Sequence, residues 1–533
     1  MEFRTEFGKT VFEAKYKNSK DGCGSWPDLA ETLVRSVCSG YLETWEIKLL
    51  IKYITEMKFI PAGRYLYYAG RPVKYFNNCY SLIPEDSREG WAKLGHNHFM
   101  ALMCGGGVGT HYGNIREEGR IISKTGGEAS GPLSLMYAMN EIGRHIKQGG
   151  ARRSALYASL PWDHPDVYKF IHSKDWTEQQ LLDKTLDFNS SAPLDMTNIS
   201  VEYNTCLNLF DQTFDETVKS MLKTGEPGFS FNIGRPNEVG RNACSEFITD
   251  TDSDLCNLGS LNLANIRDMD ELAQVTSLAS KFLVCGSLEA DLPYEECRHV
   301  RENSRKIGLG LMGMHEWLLK RNSPYRVTEE LHEWLSIYQK ISKVSADELT
   351  GRLGVSECVR YRCIAPAGTI SILAGTSSGI EPIFSVGVKR RYLSGSTWKY
   401  QYVLDPLAKT MISEGIDPDS IETAADLAKD PERRIKFQAD VQTYVDMGIS
   451  STLNLPEYGT EYNNKELVPM FTNLFRKYAP YLRGITAYPD GARGGQPLTH
   501  CSYEEALEKE GTEFEEELQF LETTGCPSGA CGI

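Results

Sequence analysis

The order of hydrophobic and polar positions divides the chain into three stretches. Over residues 1–58 the apolar side chains recur at helical spacing, as Leu33, Val34 and Val37 do, so we predict a short helical N-terminal region there. Over residues 59–498, glycine- and asparagine-rich turns alternate with short apolar runs and longer helical patterns. That alternation is typical of an α/β catalytic domain with functional loops at the ends of its strands.

The last stretch, residues 499–533, is acidic at first and then consists of small residues. Nine of the nineteen residues from Glu504 to Glu522 are glutamates, which indicates a solvated arm or an exposed helix. Cys526 and Cys531 follow among glycine, serine, alanine and proline. A cysteine pair on a flexible tail can reduce a buried disulfide by thiol–disulfide exchange; the alternative is two incidental thiols on a frayed terminus.

Composition and charge exclude several classes of protein. The 533 residues carry a formal net charge of −15, which argues against a protein that coats nucleic acid, since that needs a basic stripe. No long apolar run predicts a membrane span, and the N-terminus does not resemble a signal peptide. Fourteen cysteines without a CxxC pair and only ten histidines give little support for zinc. We therefore expect a cytoplasmic protein without metal ligands, nucleic acid or membrane as partners.

Residues 241–246 alternate an amide, a thiol and a carboxylate, at Asn242, Cys244 and Glu246. In an extended or looped segment, this alternation points the three side chains to one side. Together they offer a sulfur that can carry chemistry, a base for a hydroxyl group and a donor that orients a substrate. Such a triplet also arises by chance, so it gains weight only in combination with other motifs.

Two further segments each place one cysteine in a short predicted strand, Cys79 in 76–80 and Cys256 in 255–263. A buried cysteine is usually only a small hydrophobic residue. Residues 365–371 combine small and hydroxyl side chains at the start of a predicted helix, where free amides and the positive end of the helix dipole suit a phosphate. Without a lysine of the Walker type, this segment is predicted to bind phosphate and not to transfer it; the alternative is a plain glycine-rich turn.

Residues 308–313 match the GxGxxG pattern of dinucleotide-binding proteins. That pattern requires a buried strand before it, whereas residues 301–306 are mostly charged or polar. Residues 314–320 continue as a predicted helix. We therefore interpret the glycines as small residues in close helix packing, and an NAD-dependent oxidoreductase is only a remote alternative.

Taken together and in this order, the motifs resemble those of the catalytic subunit of ribonucleotide reductases, from about Phe59 to the end of the chain. The matching blocks are 78–79, 105–116, 126–128, 148–152, 242–246, 256–260, 305–310, 366–371 and 526–533. The resemblance implies an α/β fold with a ten-stranded barrel, built from two antiparallel halves of five parallel strands around a central finger loop. About 78 residues precede Cys79, too few for the ATP-binding cone of some family members, so we expect no cone.

By matching positions, the resemblance implies that Cys244 is the finger-loop cysteine that carries a thiyl radical. Cys79 and Cys256 would be the pair that reduces the substrate and closes to a disulfide. Asn242 would orient the substrate, and Glu246 would be the general base that helps to expel the ribose 2′-hydroxyl as water. The reaction implied is the reduction of a ribonucleotide to a 2′-deoxyribonucleotide.

The resemblance also implies partners and nucleotide sites. Cys526 and Cys531 would re-reduce the buried disulfide and receive electrons from thioredoxin or glutaredoxin. The implied substrate-binding residues are Asn78, Gly106, Gly107, Ala367, Gly368, Thr369 and Ile370. A specificity effector, a deoxynucleotide or ATP with Mg²⁺, would contact Asp86, Ser87, Arg116, Gln148, Arg152 and Arg153, although the last two arginines could simply be surface charge. We expect a homodimer when the effector is bound.

Two features disagree about the source of the radical. The segment 483–491 keeps a single tyrosine, Tyr488, where the class with a separate radical subunit has two, and so looks more like the adenosylcobalamin-dependent class. The tail 526–533 closely resembles the radical-subunit class. Because the tail match covers more consecutive residues, we predict a diphosphate reductase that binds no cofactor besides its effector, with Tyr488 relaying a radical from a metal-containing small (beta) subunit. The alternatives are an adenosylcobalamin-dependent reductase and, remotely, a non-catalytic nucleotide-binding protein.

Overall fold

The computed structural model describes residues 3–146, 154–186, 190–394, 397–492 and 498–514. The helices are α1 Glu6–Lys15, α2 Trp26–Cys38, α3 Thr44–Thr55, α4 Gly63–Tyr68, α5 Arg88–Met103, α6 Gly131–His145, α7 Val167–Ile171, α8 Glu178–Leu186, α9 Gln212–Thr224, α10 Met269–Glu289, α11 Glu295–Asn303, α12 Met314–Leu319, α13 Glu329–Leu353, α14 Gly368–Ala374, α15 Pro406–Ser413, α16 Ala424–Leu427, α17 Pro431–Gln442, α18 Val468–Tyr478 and α19 Tyr503–Glu508. The strands are β1 Phe59–Pro61, β2 Cys79–Leu82, β3 Gly107–His111, β4 Leu156–Pro161, β5 Thr197–Tyr203, β6 Gly228–Phe231, β7 Gly240–Arg241, β8 Ile248–Thr249, β9 Asp254–Leu255, β10 Leu258–Asn262, β11 Lys306–Met312, β12 Arg360–Arg362, β13 Gly387–Ser394, β14 Thr397–Leu404, β15 Thr452–Leu455, β16 Gly484–Pro489, β17 Leu498–Cys501 and β18 Glu513–Phe514.

The N-terminal helical pattern divides into separate helices. Helix α2 begins at a capping box, in which Ser25 and Asp28 satisfy each other's backbone N–H groups. It ends before Gly40, and α3 begins only at Thr44. The apolar faces of these helices pack in one hydrophobic cluster with α10 and β11. The predicted division of the chain at residue 58 stays a prediction.

The largest sheet has eight strands in the order β15-β16-β6-β5-β4-β3-β2-β9. Strands β2 to β6 are all parallel to one another. Strand β16 pairs antiparallel with β6 and parallel with β15. Strand β9 pairs antiparallel with β2 at the other edge, so the sheet flanks five parallel strands with two strands of the opposite direction on one side and one on the other.

A second sheet, β1-β10-β11-β12, contains three parallel strands, β10 to β12. It approaches the two edges of the first sheet. At one edge, β9 pairs with β2 just before β10 begins. At the other, a parallel bridge joins Ile364, after β12, to Ile449, before β15. The predicted α/β fold with extensive parallel pairing is confirmed. A single closed barrel of ten strands remains a prediction.

Five of the six residues of the GxGxxG segment lie in strand β11, and Gly313 directly precedes α12, so the interpretation as helix packing is wrong. All seven residues of β11 are buried. A Cβ atom at Gly308 would lie 2.5 Å from the sulfur of Cys363, so small residues let neighbouring strands and their side chains approach. A dinucleotide site needs its glycines in the loop that follows a strand, whereas Gly308 and Gly310 lie within β11 itself, so the support for such a site is lost.

A third sheet, β17-β13-β14-β18, includes residues from the acidic stretch. Leu498, the last residue of the predicted catalytic domain, begins β17, which pairs with β13. Lys399 on β14 lies 3.0 Å from Glu513, and Lys409 lies 2.7 Å from Glu510. Within 498–514, β17 and β18 are thus strands of a folded sheet, with helix α19 between them. In the ranges that the structure describes, no helix is long and apolar enough to cross a membrane.

Candidate active site

The finger loop is a β-hairpin of β7 and β8 whose tip, residues 242–247, we call the fingertip. Strands β7 and β8 pair antiparallel. At the tip, the backbone N–H of Asn242 donates to the carbonyl oxygen of Phe247 at 3.2 Å, and the N–H of Ser245 donates to the carbonyl of Asn242 at 3.0 Å. Ser245 has φ of 64°, in the left-handed region that favours glycine. The segment is therefore a tight turn and not an extended strand.

Glycines on β3 let the finger loop lie against the sheet. A Cβ atom at Gly107 would lie 2.7 Å from the Cβ of Ala243, and one at Gly109 would overlap the carbonyl of Arg241. Gly106 differs, since its Cβ would meet the ring of Tyr80 instead. Of the two glycines predicted at the substrate, Gly107 faces the fingertip and Gly106 faces a buried aromatic ring.

The structure brings Cys79, Cys244 and Cys256 together. The backbone N–H of Cys79 donates to the sulfur of Cys256 at 2.9 Å, and the N–H of Cys256 donates to the carbonyl of Cys79 at 3.0 Å. Hydrogen bonds from the Cys244 and Cys256 thiols lower the pKa of Cys79, while burial raises the pKa of Cys256. Cys79 and Cys256 are buried and Cys244 is half-buried. One sulfur of the cluster can thus reach an open space, while the other two lie behind it.

Glu246 and Asn242 form a polar pair inside this cluster. The side-chain amide of Asn242 donates to Oε1 of Glu246 at 2.8 Å, and the backbone N–H of Phe247 donates to Oδ1 of Asn242 at 3.1 Å. Burial, together with the negative charge of a Cys79 thiolate, raises the pKa of Glu246 to about 8. A carboxyl group of this pKa can both hold and release a proton near neutral pH.

A cavity of about 330 Å³ opens beside Cys244. Its walls come from the starts of β4, β5 and β6, from the fingertip, and from the segments before β15 and within β16. The lining residues are Ala155, Tyr157, Asn198, Ile199, Ser200, Gly225, Glu226, Gly228, Ala243, Cys244, Ser245, Pro366, Ser450, Ser451, Thr452, Thr486, Ala487 and Tyr488. The cavity has the size of a small-ligand site and offers many hydroxyl groups next to one thiol.

The other residues predicted from the sequence differ in their relation to this cavity: Tyr488 lines it, whereas Gly368 lines a separate cavity. Tyr488 shares the wall with Cys244. The predicted phosphate segment begins one residue after Pro366: Ala367 is the residue before α14, and α14 begins at Gly368. Within it, Ala367 and Ile370 are buried, Thr369 is half-buried and Gly368 is exposed. Asn78 directly precedes Cys79 and is half-buried.

The predicted effector residues are partly described. The guanidinium Nε of Arg116 donates to Oδ2 of Asp86 at 2.6 Å, and its Nη2 donates to the backbone carbonyl of Asp86 at 3.3 Å. Ser87 caps α5 by accepting a hydrogen bond from the N–H of Gly90. The structure therefore joins residues thirty positions apart, with about a third of each charged side chain exposed. Gln148, Arg152, Arg153, Cys526 and Cys531 lie outside the described residues.

Sequence reasoning missed a buried network under the finger loop. Arg241 is 1% exposed and donates to Ser230 Oγ at 3.1 Å and to Asn232 Oδ1 at 2.6 Å. The hydroxyl of Tyr157, a cavity residue, lies 2.6 Å from the same Ser230 Oγ. In the sequence, the only indication that Arg241 belongs to the site was its position next to Asn242. Nothing in the sequence distinguishes Tyr157 from the other tyrosines in strands. Within the described ranges, no three His, Cys, Asp or Glu side chains are arranged to hold a metal ion.

Comparison with known proteins identifies the family. A model described as "Ribonucleotide reductase, barrel domain" matches residues 77–212, 210–347 and 354–477. The chain therefore belongs to the ribonucleotide reductase family, and the prediction of a catalytic subunit that reduces ribonucleotides is confirmed. A vitamin B12-dependent ribonucleoside-diphosphate reductase of Mycobacterium tuberculosis is 27% identical over 90% of this chain and 74% of its own length. A reductase of the same name from Thermoplasma acidophilum is 28% identical over 90% of this chain and 71% of its own length.

These relatives contradict two expectations from the sequence. We expected no cofactor apart from the nucleotide effector, and a radical delivered by a metal-containing small subunit. The names of the relatives state a dependence on vitamin B12, so both expectations were wrong. The error came from the weight given to the tail 526–533, which lies far along the chain from Cys244, the predicted radical cysteine. The single tyrosine at 488 was the better signal.

Proposed function

We propose that this chain is an adenosylcobalamin-dependent ribonucleotide reductase that acts on ribonucleoside diphosphates. The observation that carries the proposal is the cluster of Cys79, Cys244 and Cys256 with Glu246 beside an open cavity. The names of the relatives from M. tuberculosis and T. acidophilum support both the cofactor and the diphosphate substrate.

The cavity beside Cys244 fits part of this cofactor. Its volume of about 330 Å³ suits a nucleoside-sized group, and hydroxyl and amide groups such as Asn198, Ser200 and Ser450 can bind a ribose and a purine. When bound, adenosylcobalamin supplies the radical chemistry that oxidises the Cys244 thiol. The residues present therefore fit the adenosyl part of the group.

The reducing chemistry follows from the three thiols. Cys244, as a thiyl radical, takes the 3′-hydrogen atom of the ribose and later returns it. Glu246 accepts the proton of the 3′-hydroxyl group, and the 2′-hydroxyl group takes a proton from the thiol pair Cys79 and Cys256 and leaves as water. The pair supplies two electrons and a second proton to the ribose and becomes a disulfide, and Glu246 returns its proton to the 3′-oxygen. Asn242 orients the carboxyl of Glu246 for this proton transfer.

The diphosphate would be held by the backbone N–H groups of residues 367–370, since α14 begins there and its first amides have no partner within the helix. Tyr488, which lines the cavity, is then a wall residue. The predicted relay of a radical through it depended on the small subunit that the relatives contradict.

The experiment is a reductase assay with the purified chain alone. CDP, adenosylcobalamin and dithiothreitol are supplied, and dCDP is measured by chromatography. We expect product from the wild-type chain and none from Cys244→Ala, while Cys358→Ala, which removes another buried thiol, keeps wild-type activity. Product without adenosylcobalamin, or wild-type activity in Cys244→Ala, would overturn the proposal. CTP in place of CDP tests the diphosphate assignment separately.

A further inference from the structure

The loop 446–450, between α17 and β15, contacts the backbone of the fingertip. The N–H of Gly448 donates to the carbonyl oxygen of Glu246 at 2.7 Å. A Cβ atom at position 448 would lie 3.0 Å from the carbonyl oxygens of both Ser245 and Glu246. Glycine at this position therefore allows the loop backbone to lie directly against the fingertip backbone, whereas a larger residue would push the two segments apart.

The same loop is bonded to the chain that leads into the phosphate segment. The N–H of Ile364 donates to the carbonyl of Gly448 at 3.1 Å, and the N–H of Ser450 donates to the carbonyl of Ile364 at 2.9 Å. Only two residues separate Ile364 from the segment 367–370. One short loop thus touches both the backbone of Glu246 and the chain that carries the predicted phosphate-binding amides.

Asp446 fixes this loop to β12. Its Oδ1 accepts a hydrogen bond of 2.8 Å from the backbone N–H of Arg362, and its Oδ2 accepts one of 3.0 Å from the N–H of Tyr361. The buried guanidinium of Arg362 lies 3.5 Å from Oδ2 and donates to the carbonyl of Tyr444 at 2.8 Å. Hydrogen bonds to a carboxylate are the strong ones, so Asp446 holds the loop in one place.

We propose that Asp446 is a positioning residue that, through Gly448, sets the separation between Glu246 and the phosphate segment 367–370. The inference rests on the proposed function. A nucleotide whose phosphates are bound at 367–370 presents its ribose to Glu246 only when this separation matches the molecule. Asp446 itself touches neither group and acts through the backbone of the loop.

The test is Asp446→Asn in the full chain, with the CDP assay repeated across pH. We expect kcat to fall about 100-fold, the scale for a misplacement of about 1 Å, and KM for CDP to rise. Burial holds the pKa of Glu246 near 8, so a displaced fingertip that admits water moves the rising limb of kcat to lower pH. Among the described residues, the thiols of Cys79, Cys256 and Cys363 interact electrostatically with Glu246, and the Cys244 thiol lies in the same cluster.

Two controls separate positioning from folding. Asp440→Asn removes a half-buried carboxylate, paired with Lys436 at 2.5 Å, and keeps wild-type KM and pH dependence. Gly448→Ala reproduces the effect of Asp446→Asn, whereas Gly351→Ala, where an added Cβ meets nothing within 4 Å, does not. A role in folding alone would lower the amount of active enzyme and leave KM and the pH profile unchanged.

Wild-type KM and pH profile in folded Asp446→Asn would overturn the inference, whether or not Gly448→Ala folds. If the wild-type chain makes no dCDP, the proposed function fails, but calorimetric binding of CDP still tests the positioning. In that case weaker CDP binding by Asp446→Asn supports the inference, and unchanged binding overturns it.

Discussion

The amide of Asn242 donates a hydrogen bond of 2.8 Å to Oε1 of Glu246, and Oε2 of the same carboxyl is buried without a hydrogen-bond partner among the described residues. A buried polar atom without a partner is costly, and in an active site it marks a place where a ligand completes the hydrogen bonding. The unpaired oxygen is therefore the atom that we expect to meet the 3′-hydroxyl group of the substrate.

Replacing Glu246 by glutamine changes how stability depends on pH. The pKa of Glu246 is about 8 in the folded chain, against an ordinary value of 4.5 that applies to the unfolded chain. Between these two pH values the folded state binds more protons than the unfolded state, so the wild type loses stability as pH rises. Glutamine never ionises. At each pH, the measured quantity is the free energy of unfolding of Glu246→Gln minus that of the wild type. We expect this difference to be larger at pH 9 than at pH 5 by more than about 1.4 kcal/mol, the value of one pKa unit.

Urea unfolding of both proteins at the two pH values measures this difference. Glu432→Gln, which alters an exposed carboxyl paired with Lys477, is the control and should show no such rise. Equal differences at pH 5 and pH 9 would mean that the carboxyl of Glu246 is already ionised at neutral pH in the folded chain.

The thiol pair makes a second prediction. In the double variant Cys526→Ser/Cys531→Ser, one turnover without added reductant should leave a disulfide between Cys79 and Cys256, whose sulfurs are already hydrogen-bonded. Alkylation of the remaining thiols followed by peptide mapping locates it. We expect about one dCDP per chain, and further turnover only when dithiothreitol is present. A disulfide that involves Cys363 instead would assign the reducing pair differently.

The candidate site was predictable from the sequence where several motifs match the family in order. Cys79, Cys244 and Cys256 were predicted to act together because their motifs resemble those of the family, and the structure brings the three thiols into one cluster. The supporting residues were not, since Gly448 and Asp446 act through backbone geometry and glycine or aspartate in a loop carries no distinctive pattern. The prediction also failed at β11, because the charged run 301–306 spans the end of α11 and the first residue of the strand, Lys306, and does not indicate how deeply the strand is buried.

Gly109 makes a third prediction, about the finger loop. A Cβ atom at this position would overlap the carbonyl of Arg241, so Gly109→Ala must displace the hairpin or the strand. We expect a loss of stability of about 3 kcal/mol, the upper range for overpacking in a core, together with loss of activity. Gly40→Ala, where an added Cβ meets nothing within 4 Å, is the control. Thermal unfolding measures both, and unchanged stability of Gly109→Ala would show that the finger loop does not lie against β3.

The ion pair of Asp86 and Arg116 gives a fourth prediction, in which a substitution changes the response to effector but hardly changes thermal stability. Their ion pair of 2.6 Å is partly exposed, and such pairs contribute only about 0–1 kcal/mol to folding. If the pair belongs to an effector site, Asp86→Asn should unfold at nearly the wild-type temperature yet lose most of the change in substrate preference that a bound deoxynucleotide causes. The ratio of CDP to ADP reduction, measured with and without dATP, dTTP and dGTP, provides the readout. Lys436→Gln, which breaks a partly exposed ion pair elsewhere, should leave that ratio as in the wild type. An unchanged effector response in Asp86→Asn would place the regulatory site away from this pair.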